Sequence, residues 1–353
     1  MRLLLFIAAL SLTAEVVAET YCVSSESELL AAIASAQQTP GSSSINVTRG
    51  TYDFASFGSA AAINISSAGG SLAIVGGYNA GCQGSTNDVD TTQLRAVGAS
   101  RLMDIDVYGD NEHTITLRRL SLRFGRTADT EKGGCLTVSS NQDIGGTVKL
   151  NRLSFKSCST TVAGASAALK VVGRGMRLEL NNAIFADNSS RTGVIGMTAS
   201  GSSTLYITNN TVTNNLRPYQ TADVAGLTVG TVGSGGFIWL VNNILYDNGN
   251  AIDKDVLFNS GMIGVANSNI IGQRNEYPGS MAQSGNSDAN PQFVSQNSLQ
   301  ISENSPARNT GNNLPAGGLA TSDFSGEPRL QGGQVDRGAV EFSELFASGF
   351  ETD

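Results

Sequence analysis

The residues best equipped for chemistry are basic. Arg118, Arg119, Arg123 and Arg126 form one group, Lys149, Arg152 and Lys156 a second, and Lys170, Arg174 and Arg177 a third. They stand out because the chain of 353 residues is acidic, with 22 Lys+Arg against 30 Asp+Glu and a net charge of −8. A local cationic belt suits an acidic polysaccharide. It could hold a uronate carboxylate, or neutralise it while a Lys, Arg or Tyr removes the neighbouring proton in a lyase reaction. A glycosidase would need two carboxylates flanking one bond. Glu179, Asp187 and Asp247 occur singly, without a paired-Asp motif. The one histidine, His113, has no convincing Ser or Cys nucleophile nearby, and a single His rules out His-rich metal sites. Calcium loops of the Asp-x-Asp-x-Asp-Gly or Gly-Gly-x-Gly-x-Asp kind are absent. We therefore expect no catalytic residue, no metal and no cofactor. Nucleic acid is excluded as a partner, because an acidic chain without a basic block cannot displace its counterions.

The elements that must position these residues emerge from a repeat. With 41 glycines, 15% charged and 6% aromatic residues, the composition favours turns and an all-β chain. Segments 113–122, 146–155, 176–185, 203–212, 236–245 and 261–270 align without gaps. Their third column reads Ile115, Val148, Leu178, Leu205, Ile238, Ile263; the fifth reads Leu117, Leu150, Leu180, Ile207, Leu240, Val265. The tenth reads Leu122, Phe155, Phe185, Val212, Leu245, Ile270. A two-residue period marks strands. Shorter strands precede each unit at 102–105, 135–138, 168–171, 194–197, 226–229 and 256–258. No unit can bury its own apolar face, so the units must stack as coils. The expected fold is a right-handed parallel β-helix, an all-β solenoid.

On such coils the seventh column holds Arg119, Arg152, Asn182, Asn209, Asn242 and Asn267. Asparagine tolerates left-handed turns, and its amide can bond the amides above and below, so the last four predict a structural ladder. Asn188, Asn215 and Asn248 predict another at the next turn. Arg119 and Arg152 share one outward column, and Arg123 and Lys156 share another. Like charges stacked in this way repel unless an anionic ligand or a neighbouring carboxylate compensates. A further outward column holds Thr116, Lys149, Glu179, Tyr206 and Trp239. Its two aromatics could stack on sugar rings, or could be covered by a loop such as segment 216–219.

The ends need closing, since an uncovered coil is an open sheet edge. A capping box at 25–28 predicts a short helix over the first coil, an N-terminal cap spanning about 22–40. Segments 44–48, 62–65 and 72–75 supply early strands. Residues 280–342 lose the repeat and read as an irregular C-terminal cap, completing a single domain over 19–342. Residues 1–18 read as a secretory signal cleaved after Ala18, and no later segment is apolar enough to span a membrane. In an oxidising compartment, Cys22, Cys82, Cys135 and Cys158 favour two disulfides. Of the three possible pairings we expect Cys22–Cys82 and Cys135–Cys158.

Several motifs carry a family likeness. They are Ile45-Asn-Val-Thr-Arg-Gly-Thr-Tyr52, Gly76-Gly-Tyr-Asn-Ala-Gly-Cys82, Asn290-Pro-Gln-Phe293, Ser305-Pro-Ala-Arg-Asn-Thr-Gly311 and Asp336-Arg-Gly-Ala-Val-Glu341. Together with the coils, they resemble bacterial exported right-handed parallel β-helix proteins of the choice-of-anchor Q type, related to polymorphic outer-membrane repeat proteins. Asn309 stands where that family often has Asp. A C-terminal β-barrel, which a self-exporting passenger would need, is not expected here. Residues 343–353 form a tail, of which Leu345-Phe-Ala-Ser-Gly-Phe-Glu351 resembles one recurring in exported proteins of some gammaproteobacteria. The family carries no agreed catalytic residues, so the resemblance transfers none.

The expected protein is a secreted or cell-surface, monomeric, non-catalytic β-helix that binds a glycan or acts in adhesion. Arg119, Arg123, Arg152, Lys156, Tyr206 and Trp239 are the candidate ligand contacts, with a polysaccharide or cell-surface glycan as partner. The alternatives are a polysaccharide lyase or glycoside hydrolase acting on an acidic polysaccharide, and a passive envelope component.

Overall fold

Parallel strands need crossovers, and here each crossover supplies a strand of a second sheet. The computed structural model describes residues 18–343 apart from 56–59, 67–69, 109–112, 144, 217–223, 234, 251–252, 260, 276–279 and 296–298. The leader up to residue 17, most of segment 216–219 and the tail from 344 lie outside the described residues. A long sheet of 16 strands and a second sheet of 8 strands, all paired in parallel, stack into a β-solenoid of about 7 turns.

The apolar columns are the reason the coils stack. Ile115, Val148, Leu178, Leu205 and Ile238 lie in register on the long sheet, as do Leu117, Leu150, Leu180, Ile207 and Leu240. Leu122, Phe155, Phe185, Val212 and Leu245 form the next inward row. Facing them, the second sheet contributes Met103, Leu136, Leu169, Ile195, Leu227 and Val256. All are buried, each contributing roughly 1.5–3 kcal/mol. Phe155 and Phe185 stack with ring centroids 4.3 Å apart.

Corners are made by single left-handed residues. Arg119, Arg152, Asn182, Asn209, Asn242 and Ser268 have φ between 54° and 60° and bend the long sheet in each coil. Phe124, Ser157, Asp187, Asn214 and Asp247 do the same at the next corner, with φ of 52–61°.

The sixth coil departs from the gapless alignment by one residue. Ile238 pairs with Gly264, Leu240 with Ala266 and Leu245 with Ile271. Met262, Gly264 and Ala266 therefore face inward, and Ile263 and Val265 face out. A one-residue slip exchanges the two faces of a strand. Matching apolar residues to the core misleads where the outer surface is itself apolar.

The amide ladder lies in the next column, and the slip decides only which residue of the sixth coil joins it. The ladder runs one residue past the corner, through Asn210, Asn243, Asn269 and Asn286, with Nδ2 to Oδ1 distances of 2.9, 3.0 and 3.0 Å. Each Oδ1 also accepts a backbone N–H, from Ala183, Asn210, Asn243 and Asn269 in turn. The second ladder lies where the sequence places it. Asn188, Asn215 and Asn248 link at 3.0 and 2.7 Å and end on Asp255 Oδ1 at 2.8 Å. Burial pushes the Asp255 carboxyl up to about 6, against the hydrogen bonds it accepts from Gln273 and Asn248.

At the front, helix Glu26–Gln38 buries Leu29, Ala32, Ile33 and Ala36 against the first coils. Ser25 Oγ accepts from Glu28 N, while the Glu28 carboxylate reaches back to Ser24 N at 2.7 Å. Disulfides join Cys22 to Cys82 and Cys135 to Cys158, a state that belongs to an oxidising compartment. No helix among the described residues is long and apolar enough to cross a membrane.

The irregular C-terminal segment covers the last coils and one corner of the solenoid. After the strand Ser280–Ser284 adds to the long sheet, residues 290–343 fold back along the first corner as a strap. Phe293, Leu299, Phe324, Ala339 and Val340 pack on Ile184 and Ala186. Ile301 and Ala307 pack on Ile244 and Ile270. Arg329, 1% exposed, joins the strap to the coils, with Nη1 on Glu341 at 2.6 Å and Nη2 on Asn182 Oδ1 at 2.6 Å. Asp336 accepts from Asn309 N and Phe342 N, and Glu341 accepts from Asp336 N. Burial pushes the Glu341 carboxyl up to about 8, with Arg329 acting in the opposite direction. The motif at 336–341 is thus a clasp for the strap.

Candidate functional site

The first corner brings the predicted cations together and also covers them. Arg119 and Arg152 are each 5% exposed. They lie beneath residues 78–91, an insert that follows the early strands, and beneath the strap. Gly76 permits this close approach, since a Cβ there would lie 2.2 Å from Arg119 O. Arg119 Nη1 donates to Ser85 Oγ and Thr86 O, and its guanidinium lies over Tyr78. Arg152 donates to Phe324 O at 3.0 Å and to Asn87 O at 2.5 Å, joining strap to insert. Burial, followed by the charge of Arg119, pulls the Arg152 guanidinium down to about 10. The outward position expected for these two arginines is therefore corrected to a buried one.

Arg123 and Lys156 share one counter-ion. Asp90 of the insert accepts from Arg123 at 2.9 Å and from Lys156 at 3.2 Å, with all three side chains partly exposed. Desolvation opposes ionisation of Asp90, yet Lys156 and Arg123 outweigh it and hold the carboxyl below its ordinary value. Further along, Glu179 pairs with Arg177 at 2.7 Å and Lys149 at 3.7 Å, and Arg174 pairs with Asp143 at 2.7 Å. A neighbouring carboxylate, not a ligand, compensates each of these cations.

The seventh-column asparagines hold the strap. Asn182 Nδ2 donates to Ser322 O, Asn209 Nδ2 to Asp336 O and Asn242 Nδ2 to Asn312 O, at 2.9–3.0 Å. Asn267 is no corner residue and bonds Ser284 Oγ. One rung of the expected ladder is present, Asn242 Nδ2 to Asn209 Oδ1 at 3.4 Å, but this column mainly docks the strap and the neighbouring asparagines form the continuous ladder.

Of the predicted aromatics, Tyr206 is packed. The Arg177 guanidinium lies 4.2 Å from its ring centroid, and Gly317 of the strap presses on it so closely that a Cβ there would meet the ring at 2.7 Å. The covering loop comes from the strap. Trp239, one coil on, is half-buried beside Phe237 at 5.0 Å and in register with Val265. With Ile263 they form an apolar strip on the outer face of the long sheet. The sequence reading missed Phe237, Ile263 and Val265. Aligning Asn269 with Asn243, in place of Asn267 with Asn242, would have revealed them.

Asp187 and Asp247 occupy equivalent corners two coils apart, with Asn214 between them bonding Asp187 Oδ1 at 2.6 Å. Among the described residues no group of three or more His, Cys, Asp or Glu could hold a metal ion. A cavity of about 410 Å³ beside Arg308 is lined by Asp336 and Glu341, carboxylates already used in the clasp. The fold and this surface define a disulfide-bonded parallel β-solenoid with a strapped corner and, among the described residues, a half-buried apolar strip. No protein-family profile matches the chain, and no curated protein matches it either.

Proposed function

We propose that the protein is an exported, non-catalytic β-solenoid that binds a glycan in an adhesive role, with Trp239 at the centre of the binding face. One observation carries this reading: Phe237, Trp239, Ile263 and Val265 lie together on the outside of the long sheet, at positions polar in earlier coils. Thr114, Thr116, Thr147 and Lys149 occupy the corresponding outward places there. A flat, partly exposed indole suits the C–H faces of a sugar ring, and the regular strand spacing of about 4.8 Å suits an extended chain laid across the coils. The ion-paired state of the basic groups supports a neutral or weakly acidic glycan at this strip over a uronate on the belt.

Two disulfides support export. The test is to incubate the full chain with a panel of neutral and acidic polysaccharides, scoring retention and new chain ends together. Retention without new ends is expected. New unsaturated or reducing ends would overturn the non-catalytic reading.

A further inference from the structure

We propose that residues 314–320 of the strap form a flap over Tyr206, which a glycan seated at Trp239 lifts so that a further sugar ring stacks on the tyrosine. The ligand in this inference rests on the glycan reading; the movement of the flap does not.

The flap is anchored on both sides. Asn312 N donates to Asn242 Oδ1 at 2.7 Å and Asn312 O accepts from Asn242 Nδ2 at 2.9 Å, while Ser322 O accepts from Asn182 Nδ2 at 3.0 Å. Asn313 bonds Gly333 and Val335 within the strap, and Thr321 O accepts from Arg329 N. Asn182 and Asn242 are corner residues two coils apart, so the anchors stand about 10 Å apart by strand spacing. Residues 314–320 could reach roughly 23 Å if extended. The segment is slack.

Among the described residues, no hydrogen bond joins 314–320 to a coil. Leu314 N donates to Asn312 Oδ1 and Gly318 N to Pro315 O, both inside the strap. Packing holds the flap down. Pro315 is buried, but Leu314 is 89% exposed, and Gly317 and Gly318 are exposed as well. Both glycines have φ of 90°, a conformation that residues with a side chain rarely adopt. Contact also requires Gly317, since a Cβ there would lie 2.7 Å from Tyr206 Cδ1 and 2.8 Å from its Cγ. Lifting the flap uncovers Pro315 and one side of Tyr206 without breaking a hydrogen bond to the coils, which puts it at the low-stability end of the fold.

Beneath the flap the platform is already built. Tyr206 pairs in register with Trp239, so the two rings follow each other along the outer face of the long sheet. Arg177 lies 4.2 Å from the Tyr206 ring centroid and is held by Glu179 at 2.7 Å, so the ring keeps its place when the flap leaves. A closed flap lowers the apparent affinity in proportion to the fraction of open molecules.

The experiment first measures the flap without a ligand. The full chain is treated with tetranitromethane, and nitration of Tyr206 is followed by peptide mass. Gly317→Ala drives a Cβ into the ring, and Pro315→Gly removes the flap's buried side chain. Each should raise nitration of Tyr206 about fivefold at unchanged melting temperature, with the exposed Tyr108 nitrated as before. Unchanged nitration of Tyr206 in both variants overturns the flap. A rise that comes only with a large fall in melting temperature overturns it too, because the strap would then be opening as a whole. Retention is read second, on the polysaccharide panel. Gly317→Ala should strengthen it about fivefold, and adding Tyr206→Ala should abolish the gain. More nitration without stronger retention overturns the binding role of Tyr206. No retention by the unaltered chain or by Gly317→Ala contradicts the glycan reading itself, and nitration still decides the flap.

Discussion

The corner row that begins at Arg119 and the outer row that ends at Trp239 occupy comparable outward positions on the same coils, but their fates differ. At the corner, every polar side chain from Arg119 to Asn242 is bonded to a segment distant in sequence, the insert or the strap. On the sheet face, the strap reaches Tyr206 and leaves Trp239 half-buried beside an apolar neighbourhood. Pointing away from a solenoid core is therefore different from being available to a ligand. Segments outside the repeat decide which outward rows remain accessible.

The contrast can be broken most forcefully at the clasp. Arg329→Ala removes the buried guanidinium that donates to Glu341, Asn182 Oδ1 and Gly338 O, and leaving those buried acceptors unpaired should cost about 3–5 kcal/mol in denaturant unfolding. A loss below 1 kcal/mol would mean that the strap does not seal the corner. Next is the ladder. Asn243→Ala leaves Asn210 N without its acceptor and takes one of two partners from Asn210 Nδ2, and should cost about 2–3 kcal/mol, whereas Asn267→Ala should cost less than about 0.5. Equal losses would restore the gapless alignment.

A pH series sharpens the same point. Asp255 and Glu341 have folded-state values raised above their unfolded ones, to about 6 and about 8. Their contribution is full below the ordinary carboxylate values and is lost as pH rises through the raised ones. Unfolding free energy should therefore fall between about pH 4 and pH 8, with Asp255 accounting for roughly 3 kcal/mol of it. Asp255→Asn should flatten the lower half of that window; an unchanged profile would remove Asp255 as its source. Asp90, whose value is lowered, acts in the opposite sense and loses its contribution only at acid pH. The smallest effect is at the belt. Arg123→Ala removes a partly exposed ion pair and should cost at most about 1 kcal/mol, measured by the same unfolding.

Much of the fold was legible because burial and period act locally. Ile115 to Ile238 and Leu122 to Leu245 could be aligned by eye, and the capping residues at 25–28 announced their helix. The sixth coil was misread because Ile263 and Val265 are apolar for the sake of the surface, while Gly264 and Ala266 face inward. The site was less legible. Whether Arg152 meets solvent depends on Phe324, and whether Tyr206 does depends on Gly317, contacts across more than a hundred residues that no local pattern encodes.

The central claim is that the binding face lies at Trp239 and not at the belt. The most direct test compares glycan retention by Trp239→Ala with retention by the double variant Arg123→Ala with Lys156→Ala, on whichever polysaccharide the unaltered protein retains. Trp239→Ala should lose retention by about tenfold or more with little change in melting temperature, and the double variant should bind as before. Retention lost in the double variant and kept in Trp239→Ala would contradict the account.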